Sequence, residues 1–371
     1  LWVGLWCMTS ADAQGIIDVC PPNAIRERGA TFEPGGIILT AFDSSSLWVY
    51  DIERDTRYPL PETAPCTFNC NVSPDFQWIT FLNPETFQMN KMRFSGTQRT
   101  PIARDASEVQ WWSADTLLVW TPDHRAYLRP DGDMGASPRY LPVAGVRAVQ
   151  PRGLWALAVR QHQGDFYRYL VNLEASADDP LSAVRLAPDD DYFNAAAWSP
   201  DGAYLAYVGR SAYDESAGIA GSEIFLAQPN SAIPQQMTFL FNAFGAVRIN
   251  GYTPELSWSP DGTKIAFWGI DLNGANPTTD TGGGSIFVLD VTTREIRHYC
   301  GFVTTDHTPT TPRLVWSPDG THIAFAGNVE NDDKPVLLLA LNIETGVMTE
   351  LSNGMFPAPN IPDVTAWGYR P

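Results

Sequence analysis

The segment from 271 to 280 carries oxygen-bearing side chains at a spacing that could bind a calcium ion. Calcium is held by six to eight oxygen ligands from carboxylates, amides and backbone carbonyls. The segment lacks the complete acidic loop of an EF-hand, and an Asx-rich turn is the alternative interpretation. We therefore expect no obligatory cofactor, and calcium is the candidate ion for this segment. The candidate ligands are Asp271, Asn273, Asn276 and Asp280.

Cysteine is the second residue type with chemistry to offer. Four of the five cysteines follow residue 13, and an even number in an exported protein indicates disulfides. We predict one bond between Cys66 and Cys70 on a short loop and another between Cys20 and Cys300. A metal site is the alternative, but Cys-x3-Cys without a second Cys/His pair nearby is a weak signal. His298, two residues before Cys300 on one strand face, is more typical of a surface or packing position.

Catalytic motifs are scarce in this sequence. It contains no Gly-x-Ser-x-Gly elbow, no glycine-rich phosphate loop and no His-Glu-x-x-His, and it has only five histidines. Asp306 and His307 form an acid–base pair by sequence, although such a pair in a loop is more often solvated. Acidic residues are plentiful, but nothing singles out a carboxylate pair for glycoside chemistry. We expect no catalytic residues and favour a non-enzymatic role.

The charge and the N-terminus restrict the partners and the location. Twenty-four Lys and Arg stand against 42 Asp and Glu, so the formal net charge of −18 disfavours nucleic acids and anionic membranes. Residues 1–13 are apolar at their start and end in Ala11-Asp12-Ala13, which is typical of a signal-peptide or anchor remnant. We expect a periplasmic or extracellular protein with other proteins as partners. Membrane contact would come only through this end.

A five-residue repeat indicates the architecture that positions these groups. Trp-Ser-Pro-Asp-Gly occurs at 198–202, 258–262 and 316–320, and weaker copies place the serine or its replacement at 33, 73, 113 and 151. Proline presets φ for a tight turn and glycine supplies positive φ, so each copy predicts two strands joined by a corner. Alternation such as Ile265 and Phe267 against Lys264 and Ala266 predicts strands with two chemically different faces.

Seven repeats at this spacing predict an all-β, seven-bladed β-propeller. One blade of four antiparallel strands needs roughly 40 to 50 residues. The last strand, near 364–370, would complete the first blade and close the ring. No segment shows a long helical period, so helices should be minor. The predicted organisation is residues 1–13, an N-terminal extension over 14–31, and a single propeller domain over 32–371.

The Trp-Ser-Pro-Asp-Gly corner followed by Ile-Ala-Phe resembles the repeat of TolB-like propellers. The same repeat is found in the non-catalytic propeller domains of prolyl-oligopeptidase-type enzymes. The resemblance covers roughly residues 32–369 and is weakest at Gln150-Pro-Arg-Gly153, where Trp and Asp are absent. It implies a periplasmic or extracellular binding scaffold, and it makes a six-bladed ring the alternative because TolB-type domains often have six blades.

We place the interaction surface on blades five and six. Their loops are long, and the segment from 238 to 244 carries more apolar bulk than a solvated connection needs. The function predicted is therefore a non-catalytic extracytoplasmic scaffold, an accessory subunit of an assembly at the cell envelope. A propeller-type polysaccharide lyase or glycosidase is the alternative. The candidate partner-binding residues are Phe239, Phe241, Phe244, Tyr213, Asp214 and Tyr252.

Overall fold

Short β-strands make up almost all of the regular structure in this computed structural model. The residues it describes are 14–29, 32–42, 45–61, 63, 70–83, 85–86, 88–123, 125–141, 145–162, 165–174, 183–186, 195–214, 219–229, 231, 233–250, 256–272, 284–304, 311–327, 337–352 and 363–370. Within these ranges there are 31 strands and one helix, α1 (Leu240–Phe244). The expectation that helices are minor is therefore confirmed for the described part of the chain.

The strands follow one another in chain order as β1 (Ile16–Asp18), β2 (Ile25–Glu27), β3 (Ile37–Phe42), β4 (Ser45–Asp51), β5 (Thr56–Leu60), β6 (Asn71–Val72), β7 (Ile79–Asn83), β8 (Gln88–Met92), β9 (Thr100–Ala103), β10 (Glu108–Trp111), β11 (Thr116–Trp120), β12 (Ala126–Pro130), β13 (Arg139–Tyr140), β14 (Val146–Val149), β15 (Trp155–His162), β16 (Asp165–Asn172), β17 (Ala183–Leu186), β18 (Ala196–Trp198), β19 (Leu205–Asp214), β20 (Ile219–Ala227), β21 (Gln235–Gln236), β22 (Val247–Ile249), β23 (Ser257–Trp258), β24 (Lys264–Asp271), β25 (Gly284–Asp290), β26 (Ile296–Thr304), β27 (Val315–Trp316), β28 (His322–Gly327), β29 (Leu337–Asn342), β30 (Met348–Ser352) and β31 (Asp363–Gly368).

Apart from β1 and β2, these strands form seven antiparallel sheets arranged as the blades of a ring. Blades 2 to 5 are β6–β9, β10–β13, β14–β17 and β18–β21, and blades 6 and 7 are built on β22–β26 and β27–β30. Blade 1 joins the two ends of the propeller. Its strand order from the inner to the outer edge is β31, β3, β4 and β5, so the last strand of the propeller pairs with the first. The predicted seven-bladed propeller closed by the C-terminal strand is thus confirmed, and the six-bladed alternative is wrong.

Blade 6 departs from the simple plan at its inner edge. Two short strands, β22 and β23, pair with successive parts of β24, so the inner strand is split. The chain between them, 251–255, lies outside the described residues. Nothing in the repeat predicted this division, because the corner of blade 6 begins only at Trp258.

The Pro-Asp-Gly corners are held by the same hydrogen bonds in successive blades. Ser199 Oγ donates to Asp201 Oδ1 at 2.6 Å and accepts from the Tyr204 amide at 3.0 Å. Gly202 has φ 74°, a left-handed conformation that favours glycine, and its amide donates to the Ser199 carbonyl at 2.8 Å. The corners at Ser259 and Ser317 repeat these bonds. The motif is therefore a self-satisfied turn, as the repeat predicts.

The tryptophan before each corner links neighbouring blades. Trp258 Nε1 donates to the Ala197 carbonyl and Trp316 Nε1 to the Ser257 carbonyl, both at 3.0 Å. In each case the acceptor belongs to the inner strand of the preceding blade. The indole thus fills the space between two sheets and satisfies its one polar group there.

The middle strands are buried on both faces. Ile265 and Phe267 pack into a cluster shared with blade 5, while Ala266 and Trp268 pack into one shared with blade 7. The expectation of two chemically different faces is wrong for these strands. Each blade lies between two others, so both of its faces contact apolar neighbours, as in the stacked sheets of a sandwich core.

Residues 14–29, which we call the N-terminal strap, run along the outside of blades 6 and 7. β1 adds an outermost strand parallel to β26 in blade 6, and β2 adds one parallel to β30 in blade 7. The side chain of Gln14 bonds the carbonyls of Met237 and Arg294 and the amide of Phe239. The strap thus covers two outer sheet edges that would otherwise present unpaired backbone groups.

Candidate functional site

A cleft lies between blades 1 and 2 in the described part of the chain. It opens on the face that carries the Pro-Asp-Gly corners, because its residues lie at the strand ends next to those turns. Its volume is about 540 Å³, which lies within the usual range for ligand sites. We call it the arginine cleft, and it is lined by Ile37, Asp51, Arg54, Thr56, Tyr58, Gln77, Arg93, Phe94, Ser95 and Arg370.

Blade 1 contributes two guanidinium groups and one carboxylate. Asp51, at the end of β4, is buried and forms an ion pair with Arg370, which follows the closing strand β31. Arg54 Nε lies 4.0 Å from the same carboxylate, and the Arg54 amide donates to Asp51 Oδ1 at 3.1 Å. Arg54 and Arg370 therefore share one negative charge on this side, so their guanidinium groups keep N–H donors for a ligand in the cleft.

Arg93 approaches from blade 2 and is held without a carboxylate. Its guanidinium carbon lies 3.7 Å from the centroid of the Trp78 ring. Its Nη1 donates to Gln77 Oε1 at 3.0 Å, and its Nε donates to Gln98 Oε1 at 3.2 Å. Among the described residues no acidic group pairs with it. The charge is thus fixed in position by stacking and amide oxygens, and no acidic group of the described residues neutralises it.

The remaining lining is partly apolar. Ile37 and Phe94 are buried beneath the opening, and the Tyr58 hydroxyl donates to the Phe94 carbonyl at 3.2 Å. Burial raises the pKa of Tyr58, so its hydroxyl stays protonated and neutral at physiological pH. A ligand with an anionic group next to an apolar portion matches such a surface.

The cleft is basic on a face that is otherwise acidic. The corners of blades 2, 3 and 5 present the exposed carboxylates Asp75, Asp115 and Asp201, whereas the corner of blade 4 carries Arg152. Hydrogen bonds from Ser113 and Thr116 lower the pKa of Asp115, and one from Ser199 lowers that of Asp201. Asp115 and Asp201 are therefore charged at neutral pH. The corner of blade 1 has Phe-Glu-Pro-Gly-Gly instead and lacks that aspartate.

The predicted partner-binding phenylalanines lie on and beside α1. Phe239 is just over a third exposed and Phe241 is half-buried. Phe244 packs edge-on against Phe287 and His298, with ring centroids 5.4 Å apart in both contacts. Part of the apolar excess in this segment is therefore core packing, while Phe239 remains available at the surface.

A buried carboxylate holds that segment in place. Glu223, which is 1% exposed, accepts from Thr238 Oγ1 at 2.5 Å and from the amides of Leu240 and Phe241 at 2.9 and 3.0 Å. Burial raises the pKa of Glu223, and the three hydrogen bonds oppose that shift in part. No sequence pattern indicates a role for this residue, because an isolated glutamate in a strand carries no motif.

The other candidate partner residues are only partly within the described chain. Tyr213 and Asp214 form the end of β19, where they pair with Ala220 and Ile219. Tyr252 lies outside the described residues. Partner binding by Tyr213, Asp214 and Tyr252 therefore stays a prediction.

The calcium candidate is likewise described at one position only. Asp271 is exposed at the end of β24, and Asn273, Asn276 and Asp280 lie outside the described residues. His307 of the acid–base pair lies outside them as well. Calcium binding by this segment stays a prediction.

The cysteines are disulfide-bonded wherever the structure describes them. Cys20 of the N-terminal strap is bonded to Cys300 of blade 6, the pairing expected from the sequence. Cys70 also forms a disulfide, and Cys66 lies outside the described residues. The first bond places Cys20 and Cys300 beside Asp18 and His298, a grouping that the sequence analysis did not recognise.

The arginine cleft was also not predicted from the sequence. Arg54, Arg93 and Arg370 share no local motif, since blade stacking and ring closure bring them together from distant parts of the chain. The one signal was compositional, because arginine far outnumbers lysine, with 21 against three residues. Over the ranges that the structure describes, no helix is long and apolar enough to cross a membrane.

Comparison with known proteins gives structural similarity at low sequence identity. No protein-family model matches the chain, and no curated protein sequence matches it significantly. A candidate TolB from Agrobacterium tumefaciens is 14% identical, with 90% of this chain and 94% of that chain covered and a TM-score of 0.43. TolB from Acinetobacter baumannii is 13% identical, with coverages of 96% and 97% and a TM-score of 0.43. A candidate 6-phosphogluconolactonase from Bacteroides fragilis is 12% identical, with coverages of 91% and 99% and a TM-score of 0.45.

Proposed function

We propose that this chain is a non-catalytic, protein-binding propeller that holds an anionic group of its partner in the arginine cleft. The observation that carries the proposal is the convergence of Arg54, Arg93 and Arg370 on one open site. It occurs in a chain whose formal net charge is −18. A carboxylate is the group that such guanidinium forks bind best in a protein ligand.

The electrostatics of the cleft favour a bound anion over an empty site. Arg93 has no acidic partner among the described residues, so a ligand carboxylate would meet a donor that needs no existing ion pair to break. Its ring contact and amide acceptors also fix the guanidinium before binding, which reduces the side-chain entropy lost on association.

The surroundings of the cleft favour a peptide segment over a small free anion. Ile37, Tyr58 and Phe94 add apolar surface beside the arginines, and about 540 Å³ holds more than a single carboxylate. The charged corner aspartates outside the cleft would repel a uniformly acidic ligand and attract basic flanks. The expected partner presents one acidic side chain or a C-terminal carboxylate between neutral or basic residues.

We also propose that the protein works outside the cytoplasm. The support is chemical, because Cys20–Cys300 and the bond at Cys70 are disulfides, which persist in oxidising compartments. The signal-like character of residues 1–13 points the same way. A binding role without chemistry in that location suits an accessory subunit of an envelope assembly.

A propeller-type polysaccharide lyase or glycosidase is the alternative class. Glycoside hydrolysis commonly uses two carboxyl groups, one as an acid and one as a nucleophile or base. The lining of the cleft offers one, Asp51, and Arg370 and Arg54 already engage it. Binding therefore takes precedence over catalysis as the interpretation of this site.

The test is a titration of the full chain with short peptides that end in a free carboxylate or in an amide. Arg93→Ala should weaken binding of the free-acid peptides about 10- to 150-fold, which corresponds to a charge-assisted hydrogen bond of about 1.5–3 kcal/mol. Arg57→Ala is the matched control, because Arg57 is exposed on β5 but its side chain alternates away from Tyr58 and the cleft.

The result that would contradict the proposal is equal affinity for acid and amide peptides, or an Arg93→Ala protein that binds as the wild type does. Binding should also weaken as salt is raised, since the contact is partly exposed. Cleavage of polysaccharides that is abolished by Asp51→Asn would instead establish the enzymatic alternative.

A further inference from the structure

The N-terminal strap and blade 6 place four metal-ligand side chains on one sheet face. β1 runs parallel to β26 in a register that pairs Asp18 with His298. Side chains two residues apart on a strand point to the same face, and Cys20 and Cys300 follow at that spacing. Two Asp/His-x-Cys pairs therefore lie side by side, and neither has a role in the arginine cleft.

The ligand atoms of this cluster are close together. Asp18 Oδ1 lies 2.9 Å from His298 Nδ1. The ligand atoms of Asp18, His298 and Cys300 all lie within 4.8 Å of one another. Cys20 Sγ is bonded to Cys300 Sγ, with 5.1 Å between the two Cα atoms, so it belongs to the same cluster.

The surroundings of the cluster are those of a supported site with an open entrance. The His298 ring stacks on Phe287, with centroids 4.6 Å apart, and contacts Phe244 edge-on. These two rings hold the imidazole with Nδ1 directed at Asp18. The Asp18 side chain is 67% exposed, which leaves a path from solvent to the cluster.

We propose that the reduced form of this cluster binds one divalent, thiolate-preferring metal ion of the zinc type through Asp18, Cys20, His298 and Cys300. Two thiolates, an imidazole and a carboxylate are ligands that Zn²⁺ takes in tetrahedral geometry. Zinc bonds of 2.0–2.3 Å imply ligand atoms about 3.3–3.8 Å apart. The atoms now within 4.8 Å need only small side-chain movements to reach that spacing.

The change from the disulfide to the metal-bound form takes place in two steps, reduction and then metal binding. A phosphine takes the oxygen of a water molecule and becomes its oxide, while the disulfide takes two electrons and that water's two protons and becomes two thiols. The metal ion then displaces the two thiol protons to solvent and binds both thiolates. Oxidation by a disulfide reagent reverses the change: the two thiolates form the Cys20–Cys300 bond, the S–S bond of the reagent breaks to give two thiolates, and the metal ion loses both sulfur ligands.

The consequence is a strap that stays attached to blade 6 in either redox state. The disulfide is the link in the oxidised protein, and the metal is the link in the reduced protein. A chain that has not yet been oxidised would thus already hold β1 against β26 when metal is present.

The experiment measures Co²⁺ binding by the full chain before and after reduction with a phosphine. The reduced wild type should bind one Co²⁺ with the thiolate charge-transfer and ligand-field absorption of a tetrahedral site, and Zn²⁺ should displace it. The oxidised wild type should show no such absorption. His298→Ala should weaken binding of the reduced protein at least about 100-fold, and Cys20→Ser should abolish the thiolate spectrum.

Cys70→Ser is the matched control, because it removes a disulfide cysteine that lies outside the cluster. It should leave the reduced protein's Co²⁺ spectrum and affinity unchanged. A second readout covers variants that fold poorly: Zn²⁺ should raise the melting temperature of the reduced wild type and not that of the oxidised wild type. The proposal is overturned if reduced wild type binds no Co²⁺, or if binding survives His298→Ala and Cys20→Ser but disappears with Cys70→Ser.

Discussion

Replacement of Glu223 by alanine should destabilise the protein and release the segment that carries the exposed phenylalanine. Glu223 is 1% exposed and accepts three hydrogen bonds, from Thr238 Oγ1 and the amides of Leu240 and Phe241. Thr238 and Leu240 are themselves fully buried, so water cannot replace the lost acceptor for them.

The magnitude follows from the groups left unpaired. Each buried donor without a partner costs about 1–3 kcal/mol. Loss of the carboxylate also removes its own burial cost, which its raised pKa reveals. We therefore expect Glu223→Ala to lower the free energy of unfolding by about 2–4 kcal/mol, and Glu223→Gln, which keeps one acceptor oxygen, by about 1 kcal/mol.

Urea unfolding with linear extrapolation measures the free energy of unfolding, and hydrogen exchange at the Leu240 and Phe241 amides measures the local release. Glu85→Ala is the control, because Glu85 is exposed on blade 2 and should change stability by less than about 0.5 kcal/mol. A loss below about 1 kcal/mol in Glu223→Ala, with unchanged exchange at both amides, would show that Glu223 does not hold this segment in place.

The same carboxylate gives a pH dependence with a definite sign. Its folded pKa lies above the ordinary value of 4.5, so between the two values the native state binds more protons than the unfolded state. The contribution of Glu223 to stability therefore falls as pH rises through that window. The stability difference between wild type and Glu223→Gln should shrink over the same interval, and a difference that grows would contradict the assignment.

Three further substitutions test the corners, the blade contacts and the ring closure by urea unfolding. Gly36→Ala should lower the free energy of unfolding by about 3 kcal/mol or more, because φ is +97° and a Cβ would lie 2.3 Å from a carbonyl oxygen of the closing strand. Gly132→Ala is its control: φ is +83° but no atom lies within 4 Å of the added Cβ, so the loss should be about 1–2 kcal/mol. Lys91→Met should cost about 3 kcal/mol, since it leaves a largely buried aspartate of blade 3 without its ion-pair partner. Ser199→Ala should raise the low pKa of Asp201, so its stability deficit is full at neutral pH and shrinks as acid protonates that carboxylate; a deficit independent of pH would contradict this.

The blade count and the ring closure were predictable because they depend on local turn chemistry that repeats. The segment 198–202 encodes a corner by itself, and the same five residue types recur at two more positions. The tryptophan before the corner fits between blades because its indole is flat and has one donor. These features are properties of short segments, so the sequence displays them directly.

Other features depend on contacts that no local pattern encodes. The middle strand of blade 6 is buried on both faces because two other blades cover it, and alternation along Ile265–Ile270 does not reveal this. The three-residue strands β1 and β2 are too short for a periodic signal and pair with residues about 280 and 320 positions away. The phenylalanines near α1 were selected for apolar excess, and part of that excess proves to be packing against Phe287.

The candidate sites also differ in how far the sequence predicts them. The bond between Cys20 and Cys300 was expected because cysteine pairing follows from number and compartment. The arginine cleft was not expected, since Arg93 and Arg370 meet only after blades 1 and 2 stack and the final strand docks. Charge composition alone indicated the opposite sign for the whole surface.

The position of β31 has a consequence for synthesis on the ribosome. The inner edge of blade 1 is completed by a contact in which Trp367 Nε1 donates to the Gly35 carbonyl, 332 residues earlier. Blades 2 to 5 use only neighbouring residues and can form as they emerge, whereas blade 1 must wait for the last strand. Until β31 has been synthesised, the nascent chain carries an unpaired edge on β3, which exposes it to aggregation and to chaperones.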